Sequence, residues 1–344
     1  MKTKYWNISK MTKREQQVSI IEASQLLQQG EIVAFPTETV YGLGANATNE
    51  QAVQKIFHAK GRPQDNPLIV HVADALQMES LVRYWPAYVD KLLAAYTPGP
   101  ITFVLPSNDV CSAAVTAGLD TVGVRIPSHP VAHQLLSACQ LPIAAPSANI
   151  SGRPSPTSAQ HVWHDLSDKI AGILDGGATG VGLESTVIDC TQDIPVILRP
   201  GGITKEQIEK VAGAVMVDPG LAVKNENEQP KSPGMKYRHY SPEVPLWIVS
   251  GASENLQSMI YRLQMEGKRV GVMGKDGTVE RLQVEEIIKL GNTMEQVAAN
   301  LYDALRTFKL GEVDIILCES FPEQGIGQAV MNRLTKAASR IIAL

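Results

Sequence analysis

Between two apolar, strand-like runs, residues 36–72 concentrate Thr37, Glu38, Thr39, Lys60, Arg62, Asn66 and His71 where generic turn residues would suffice for a fold. The run 32–35 ends at Pro36, so residues 37–39 fall at the mouth of a buried strand, where α/β sheets bind ligands. Gly42 and Gly44 let the backbone approach a neighbour closely. Lys60 and Arg62 flank the end of a predicted helix and suit the negative end of its dipole, which alone would account for them. Their polar company, Asn66 on the next loop and His71 on the strand 68–72, argues for a site instead. Further cations repeat the pattern, since Arg125, Arg153, Arg199, Lys236 and Arg238 all sit in loops rich in Gly, Pro or Ser. Arg125 ends a strand in GVRIP, and its planar fork suits a carboxylate held through two bonds, with a surface ion pair as the plainer role. Cations spread over loops in this way fit a small polyanion better than a long duplex.

Periodicity supplies the elements that must position these groups. Val53, Ile56 and Phe57 form one apolar face of a helix over 49–60, with Thr48 and Gln51 as a capping box and Gly61 as its stop. Strands are predicted at 32–35, 68–72, 102–105, 121–126, 142–145, 186–189 and 196–198. Helices are predicted near 19–29, 49–60, 86–96, 130–138, 157–166 and 204–212, which makes residues 1–217 an α/β domain. Residues 218–243 read as a linker of turn-forming and polar residues. From 244 to 344, strands near 244–249, 269–273, 284–290 and 313–318 alternate with helices near 254–266, 294–308 and 327–341. That pattern predicts a small Rossmann-like α/β domain, whose second helix opens on a Thr293/Gln296 capping box. Gly325 and Gly327 before its last helix resemble part of a dinucleotide fingerprint, but Val330 stands where Gly or Ala is wanted and no acidic residue follows.

Composition narrows the function classes. The 344 residues are 44% apolar and 19% charged, with a net charge of −4, which supports packed cores and argues against a general nucleic-acid-binding surface. The four cysteines, Cys111, Cys139, Cys190 and Cys318, form no CxxC pair and read as buried thiols of a reducing cytosol. No apolar stretch approaches the length of a membrane span. The lysine-rich N-terminal stretch lacks the apolar region and cleavage site of a targeting peptide.

Several blocks together carry a resemblance: FPTETVYGLG, KGRP with NPLIVHV, GVRIPSHP at 123–130, APSANISG at 145–152, and ESTVIDC with ILRPGGIT. In this order they resemble the threonylcarbamoyl-AMP synthases of the YrdC-like family. SPGMKYRHYSP at 232–242, with about a hundred residues after it, resembles the longer, two-domain members. The resemblance implies a twisted, open mixed sheet with helices, followed by the small Rossmann-like domain. It implies that threonine and bicarbonate or CO₂ form a carbamate whose oxygen attacks the α-phosphorus of ATP, releasing pyrophosphate. Such a reaction needs positioning and positive charge rather than a covalent nucleophile. Neither GxSxG nor a P-loop occurs in the chain.

Carried over residue by residue, the resemblance makes Lys60 and Arg62 the catalytic cations on phosphate oxygens. It makes Thr39, His71, Arg125 and Ser185 threonine contacts, and Arg62, Asn66, Thr121, Ser147, Asn149, Ser155, Arg199, Arg238 and Tyr240 nucleotide contacts. Thr39, Ser185, Ser147 and Asn149 equally suit ordinary turns, and a lone histidine is often structural. Mg²⁺ is expected with ATP, its ligands undetermined; Ser147 and Asn149 could meet its water shell, and Glu184 could orient an arginine or approach the metal. The segment 232–242 is expected to close over the ATP site as a lid, or else to strap the domains together. Expected partners are ATP, L-threonine, bicarbonate and downstream tRNA threonylcarbamoyl-transfer proteins in the cytoplasm, with no stable tRNA binding and no membrane. A carbamoyltransferase-type domain and an RNA-binding, translation-associated module remain open as alternatives.

Overall fold

The computed structural model describes residues 2–221, 240–250 and 253–343. The chain forms two compact units, one of Met1–Ser151, Pro156–Gly180 and Glu184–Tyr237, the other of Gly152–Ser155, Val181–Leu183 and Arg238–Leu344.

In the first unit the elements run β1 (Lys4–Asn7), α1 (Lys13–Gln28), β2 (Val33–Pro36), β3 (Tyr41–Asn46), α2 (Glu50–Lys60), β4 (Ile69–His71), α3 (Ala75–Glu79), α4 (Ala87–Tyr96), β5 (Ile101–Pro106), α5 (Ala113–Thr116), β6 (Thr121–Arg125), α6 (Pro130–Cys139), β7 (Ile143–Ala144), α7 (Ala159–Leu166), β8 (Gly172–Asp175), β9 (Thr186–Asp189), β10 (Val196–Arg199), α8 (Lys205–Ala212) and β11 (Met216–Val217). Among the described residues the strands build an eleven-stranded mixed sheet in the order β1-β8-β2-β3-β7-β4-β6-β5-β9-β10-β11. The expected mixed α/β architecture is therefore present.

Alternation along the central strands assigns residues to two cores. Val33 and Phe35 pack with Ile20, Leu27 and Leu136 from α1 and α6, whereas Ala34 joins Val53, Ile56 and Phe57 of α2 in the larger cluster. The sheet is thus covered by helices on both faces. Strands β2 and β3 pair antiparallel, Phe35 opposite Gly42. A Cβ on Gly44 would stand 2.8 Å from Ile143 Cγ2 and 2.9 Å from the Phe35 ring. What the glycine approaches closely is the chain's own core.

Local signals and structure differ in several places. Helix α2 is capped by Asn49, whose side chain accepts the Ala52 N–H, while the Thr48 hydroxyl donates to Asn46 Oδ1 at 2.9 Å. The predicted Thr48/Gln51 box does not form, because Asn46 and Asn49 take both roles. Gly61 does end the helix, in the left-handed conformation at φ 61°. Helix α1 begins earlier than the apolar periodicity indicates, at a Thr12/Glu15 capping box. Strands β1, β3 and β8 had no counterpart in the sequence reading: β3 is Tyr-Gly-Leu-Gly, poor in β-branched residues, and it forms because both its neighbours pair with it.

The second unit carries β12 (Leu246–Val249), α9 (Ser253–Met265), β13 (Val270–Gly274), α10 (Asp276–Val279), β14 (Glu286–Lys289), α11 (Met294–Thr307), β15 (Ile315–Glu319), α12 (Gly327–Ala337) and β16 (Arg340–Ile342). Its described strands form a five-stranded sheet, β14-β13-β15-β12-β16, and every pairing is parallel. Val249, Ile260, Val272 and Leu317 centre its core. The Thr293/Gln296 capping box opens α11 as expected. The last predicted helix, 327–341, stops at Ala337, and β16 follows in parallel with β12.

Candidate functional site

Register brings the first group of predicted residues together. β4 and β6 run parallel with His71 opposite Arg125. Arg125 is only 4% exposed, so its guanidinium has to find partners inside the protein. Nη1 donates to Thr39 Oγ1 at 2.9 Å, Nε donates to the Gly99 carbonyl at 3.4 Å, and Nη2 meets Glu38 Oε1 at 2.7 Å. The other Glu38 oxygen accepts the Ser128 N–H at 3.1 Å. Thr39 is fixed in turn by the Thr37 hydroxyl at 2.7 Å, within the turn joining β2 to β3. His71 is buried against the edge of Phe35, and its Nδ1 has no hydrogen-bond partner within the protein. Burial and the neighbouring Arg125 charge hold its pKa down at about 3, so the imidazole is neutral at neutral pH.

A second cation is fixed beside this group by the parallel pairing of β5 with β9. Ser185 Oγ lies 2.8 Å from Thr102 Oγ1. Arg199, the last residue of β10, donates from Nε and Nη2 to the Ser185 carbonyl at 3.2 and 3.0 Å, and from Nη2 to Ser185 Oγ at 3.2 Å. Gly201 permits this packing: a Cβ there would lie 2.4 Å from backbone atoms of Glu184, Ser185 and Thr186. Glu184 is buried at the start of the same loop.

A third group gathers at the end of α2. Lys60, buried, donates from Nζ to the carbonyls of Ser147 and Asn149, each at 2.5 Å. The Ser147 hydroxyl donates to Asn149 Oδ1 at 2.6 Å. Arg62 Nη2 donates to the carbonyls of Asn66 and Pro67, and Asn66 Oδ1 is buried with no partner within the protein. Thr121 opens β6 opposite Pro106. The ammonium of Lys60 thus serves as a tie for the 147–149 turn as well as a helix-end charge, a role the sequence did not reveal.

The ladder also orders these residues along the strands. β7 pairs antiparallel with β4, Ile143 opposite His71 and Ala144 opposite Val70. Ser147 and Asn149 therefore lie at the beginning of β4, and His71 lies at its end. Along β6, Thr121 and Arg125 are separated by about 13 Å, at roughly 3.3 Å per residue. The predicted nucleotide contacts Arg62, Asn66, Thr121, Ser147 and Asn149 thus belong to one end of these strands, and His71 and Arg125 to the other.

Two predicted residues belong to the second unit. Ser155 is buried next to Pro154, whose carbonyl accepts bonds from Nε and Nη2 of Arg306. Tyr240, at φ 63°, stacks on Tyr302 with ring centroids 5.3 Å apart and lies under the Arg333 guanidinium at 5.7 Å. Arg238 and the rest of the predicted lid up to 239 lie outside the described residues. Thr37 and Glu38 are placed at the strand mouth by sequence but given no ligand of their own, and Thr102 is not singled out at all. A cavity of about 770 Å³ flanks α2, lined by Gln51, Lys55, His58 and Lys169 among others; of the predicted site residues it touches Lys60. Among the described residues no group of three or more His, Cys, Asp or Glu could hold a metal ion.

Residues 25–201 match the Sua5, YciO and YrdC family model, described as telomere recombination, and residues 203–339 match the model described as threonylcarbamoyl-AMP synthase, C-terminal domain. A Bacillus subtilis protein named threonylcarbamoyl-AMP synthase is 53% identical, with 98% of each chain covered. The chain belongs to the threonylcarbamoyl-AMP synthase family. A Pyrococcus abyssi member of the same name is 49% identical over 93% of this chain and 94% of its own. The crystal structure of P. abyssi Sua5 complexed with L-threonine superposes with a TM-score of 0.93 at 45% identity, all of both chains covered. E. coli YciO shares the fold over 60% of this chain, with a TM-score of 0.52 at 23% identity. Within this threonylcarbamoyl-AMP synthase fold, the residues predicted from sequence provide a buried guanidinium fork flanked by hydroxyls, and buried cations beside polar atoms. Such a site can orient a small carboxylate and stabilise phosphate oxygens without forming a covalent bond.

Proposed function

We propose that this protein makes L-threonylcarbamoyladenylate from L-threonine, bicarbonate or CO₂, and ATP, releasing pyrophosphate. The reading is carried by likeness along the whole chain to proteins named for this activity. The buried cations support it: Arg125 with Thr39 suits the threonine carboxylate, and Lys60, Arg62 and Arg199 suit the triphosphate. The threonine amine takes up CO₂ as a carbamate, a carbamate oxygen bonds to the α-phosphorus, and the bond to the pyrophosphate oxygen breaks. Neutral His71 and Ser185 contact the amino acid, while Asn66, Thr121, Ser147, Asn149 and Ser155, with Arg238 and Tyr240, serve the nucleotide.

Magnesium would arrive with the nucleotide. Ser147 Oγ and Asn149 Oδ1 are neutral oxygens of the kind that meet a magnesium still carrying water and substrate oxygens, so the donor set fits. When bound, the ion neutralises charge on the phosphates. No helix among the described residues is long and apolar enough to cross a membrane. The activated group then passes to transfer proteins that modify tRNA, in the cytoplasm, so this chain has no need of tight tRNA binding.

The test is pyrophosphate release from ATP, Mg²⁺ and bicarbonate, with and without L-threonine, alongside mass detection of the adenylate. Threonine-dependent release with the carbamoyl-adenylate mass is expected. Release that ignores threonine, or a different product mass, overturns the reading.

A further inference from the structure

Glu38 already places a carboxylate on the fork assigned to the substrate. Its Oε1 lies 2.7 Å from Arg125 Nη2, where the Arg125 side chain is 5% exposed and that of Glu38 is 14% exposed. Oε2 is anchored by the Ser128 N–H at 3.1 Å, so the carboxylate bridges the β2–β3 turn and the loop leading to α6. The remaining guanidinium nitrogens are also engaged, Nη1 by Thr39 and Nε by Gly99. Among the described residues His129 also feels Glu38: burial lowers its pKa and the Glu38 charge opposes that shift.

We infer that Glu38 is an internal stand-in for the substrate carboxylate: it neutralises Arg125 until the amino acid arrives, and it must leave the fork for the amino acid to bind. The inference rests on the proposed threonine site. A second carboxylate on the same buried guanidinium would leave an excess negative charge in a nearly dry setting, which the site disfavours strongly. One of the two must therefore give way. Glu38 is the one able to do so, because it sits on a turn and reaches solvent, whereas Arg125 is held by its strand. Binding then exchanges one charge-assisted contact for another rather than adding one. The fork gains selectivity at some loss of affinity, since a ligand has to offer a carboxylate good enough to replace the resident one. Glu38 is accordingly a specificity-determining residue that acts through Arg125.

Calorimetric titration of the full chain with L-threonine and with L-threoninol, which lacks the carboxylate, tests this for the wild type and for Glu38→Gln. Threonine is expected to bind the variant about tenfold more tightly, the order expected when one charge-assisted contact no longer has to be displaced. Threoninol, which never competes for the fork, is expected to change by less than about twofold. A purely structural role for Glu38 would weaken both ligands, and weakened threonine binding overturns the inference. If the variant fails to fold, a crystal structure of the wild type soaked with threonine decides: Glu38 away from Arg125 supports the exchange, and Glu38 still on Arg125 refutes it. Wild-type protein that binds no threonine at all would instead count against the proposed function.

Discussion

Replacing Lys60 by Met separates two roles that the sequence could not. Methionine matches much of the stem's length and apolar character, so the change removes chiefly the ammonium. Nζ donates to two carbonyls, those of Ser147, part-buried, and Asn149, buried. Hydrogen bonds to a charged group contribute about 1.5–3 kcal/mol each, so the gross loss is about 3–6 kcal/mol. Relief of the cost of burying a charge offsets part of that, leaving a net destabilisation of about 2–4 kcal/mol. At about 2–4 °C per kcal/mol for a unit of this size, the melting temperature of the first unit falls by roughly 5–15 °C. Differential scanning calorimetry of the full chain, which resolves the units if they melt separately, reads this directly. Assayed well below the new transition, the variant also loses threonine-dependent pyrophosphate release if Lys60 meets the triphosphate. A melting temperature lowered by less than about 2 °C would refute the argument that Lys60 ties down the 147–149 turn.

His71 sets a pH dependence whose sign follows from its depressed pKa. An unfolded histidine, near 6.5, binds a proton that the folded one refuses down to about pH 3, so stability falls as pH drops from about 6.5 toward 3, by up to about 5 kcal/mol. His71→Gln is expected to flatten that part of the stability curve in urea titrations between pH 7 and 4; an unchanged slope means the imidazole is not held neutral. Gly201→Ala is expected to destabilise by more than about 3 kcal/mol and to abolish activity, because its Cβ would stand 2.4 Å from backbone that cannot yield and would push Ser185 off Arg199. A soluble, active variant with an unchanged melting temperature, seen by the same calorimetry, would contradict that packing.

Helices with a strong apolar face were legible: α2, α6, α8 and α11 fall within one or two residues of the periodicity. What escaped was structure made by partners rather than by local pattern. Strand β3 reads as a glycine-rich loop, and its pairing with β2 and β7 cannot be seen in Tyr-Gly-Leu-Gly. Strand β16 reads as the tail of a helix, because Arg340, Ile341 and Ile342 continue an apolar rhythm that Ala337 has already ended. For the site, motif order names candidate residues but not their arrangement. That β7 runs opposite to β4, and so parts Ser147 from His71, is a fact of long-range pairing that no window of the sequence contains.

The same difference explains how the chain can keep cations buried before substrate is considered. Arg199 rests on the Ser185 carbonyl, Lys60 on two turn carbonyls, and Arg125 on a hydroxyl, a carbonyl and the Glu38 carboxylate. Backbone carbonyls are partial charges that cannot rotate away, so they fix a cation's position while neutralising it only in part. Carbonyls of this kind hold Lys60 and Arg199 in position. Arg125 has in addition the full counter-charge of Glu38, carried on the turn joining β2 to β3. A carboxylate can be exchanged for another carboxylate, but a carbonyl in a β-turn cannot be exchanged for anything. The Glu38 carboxylate on Arg125 is thus the replaceable partner, whereas the carbonyls that hold Lys60, Arg199 and Arg125 itself are fixed supports.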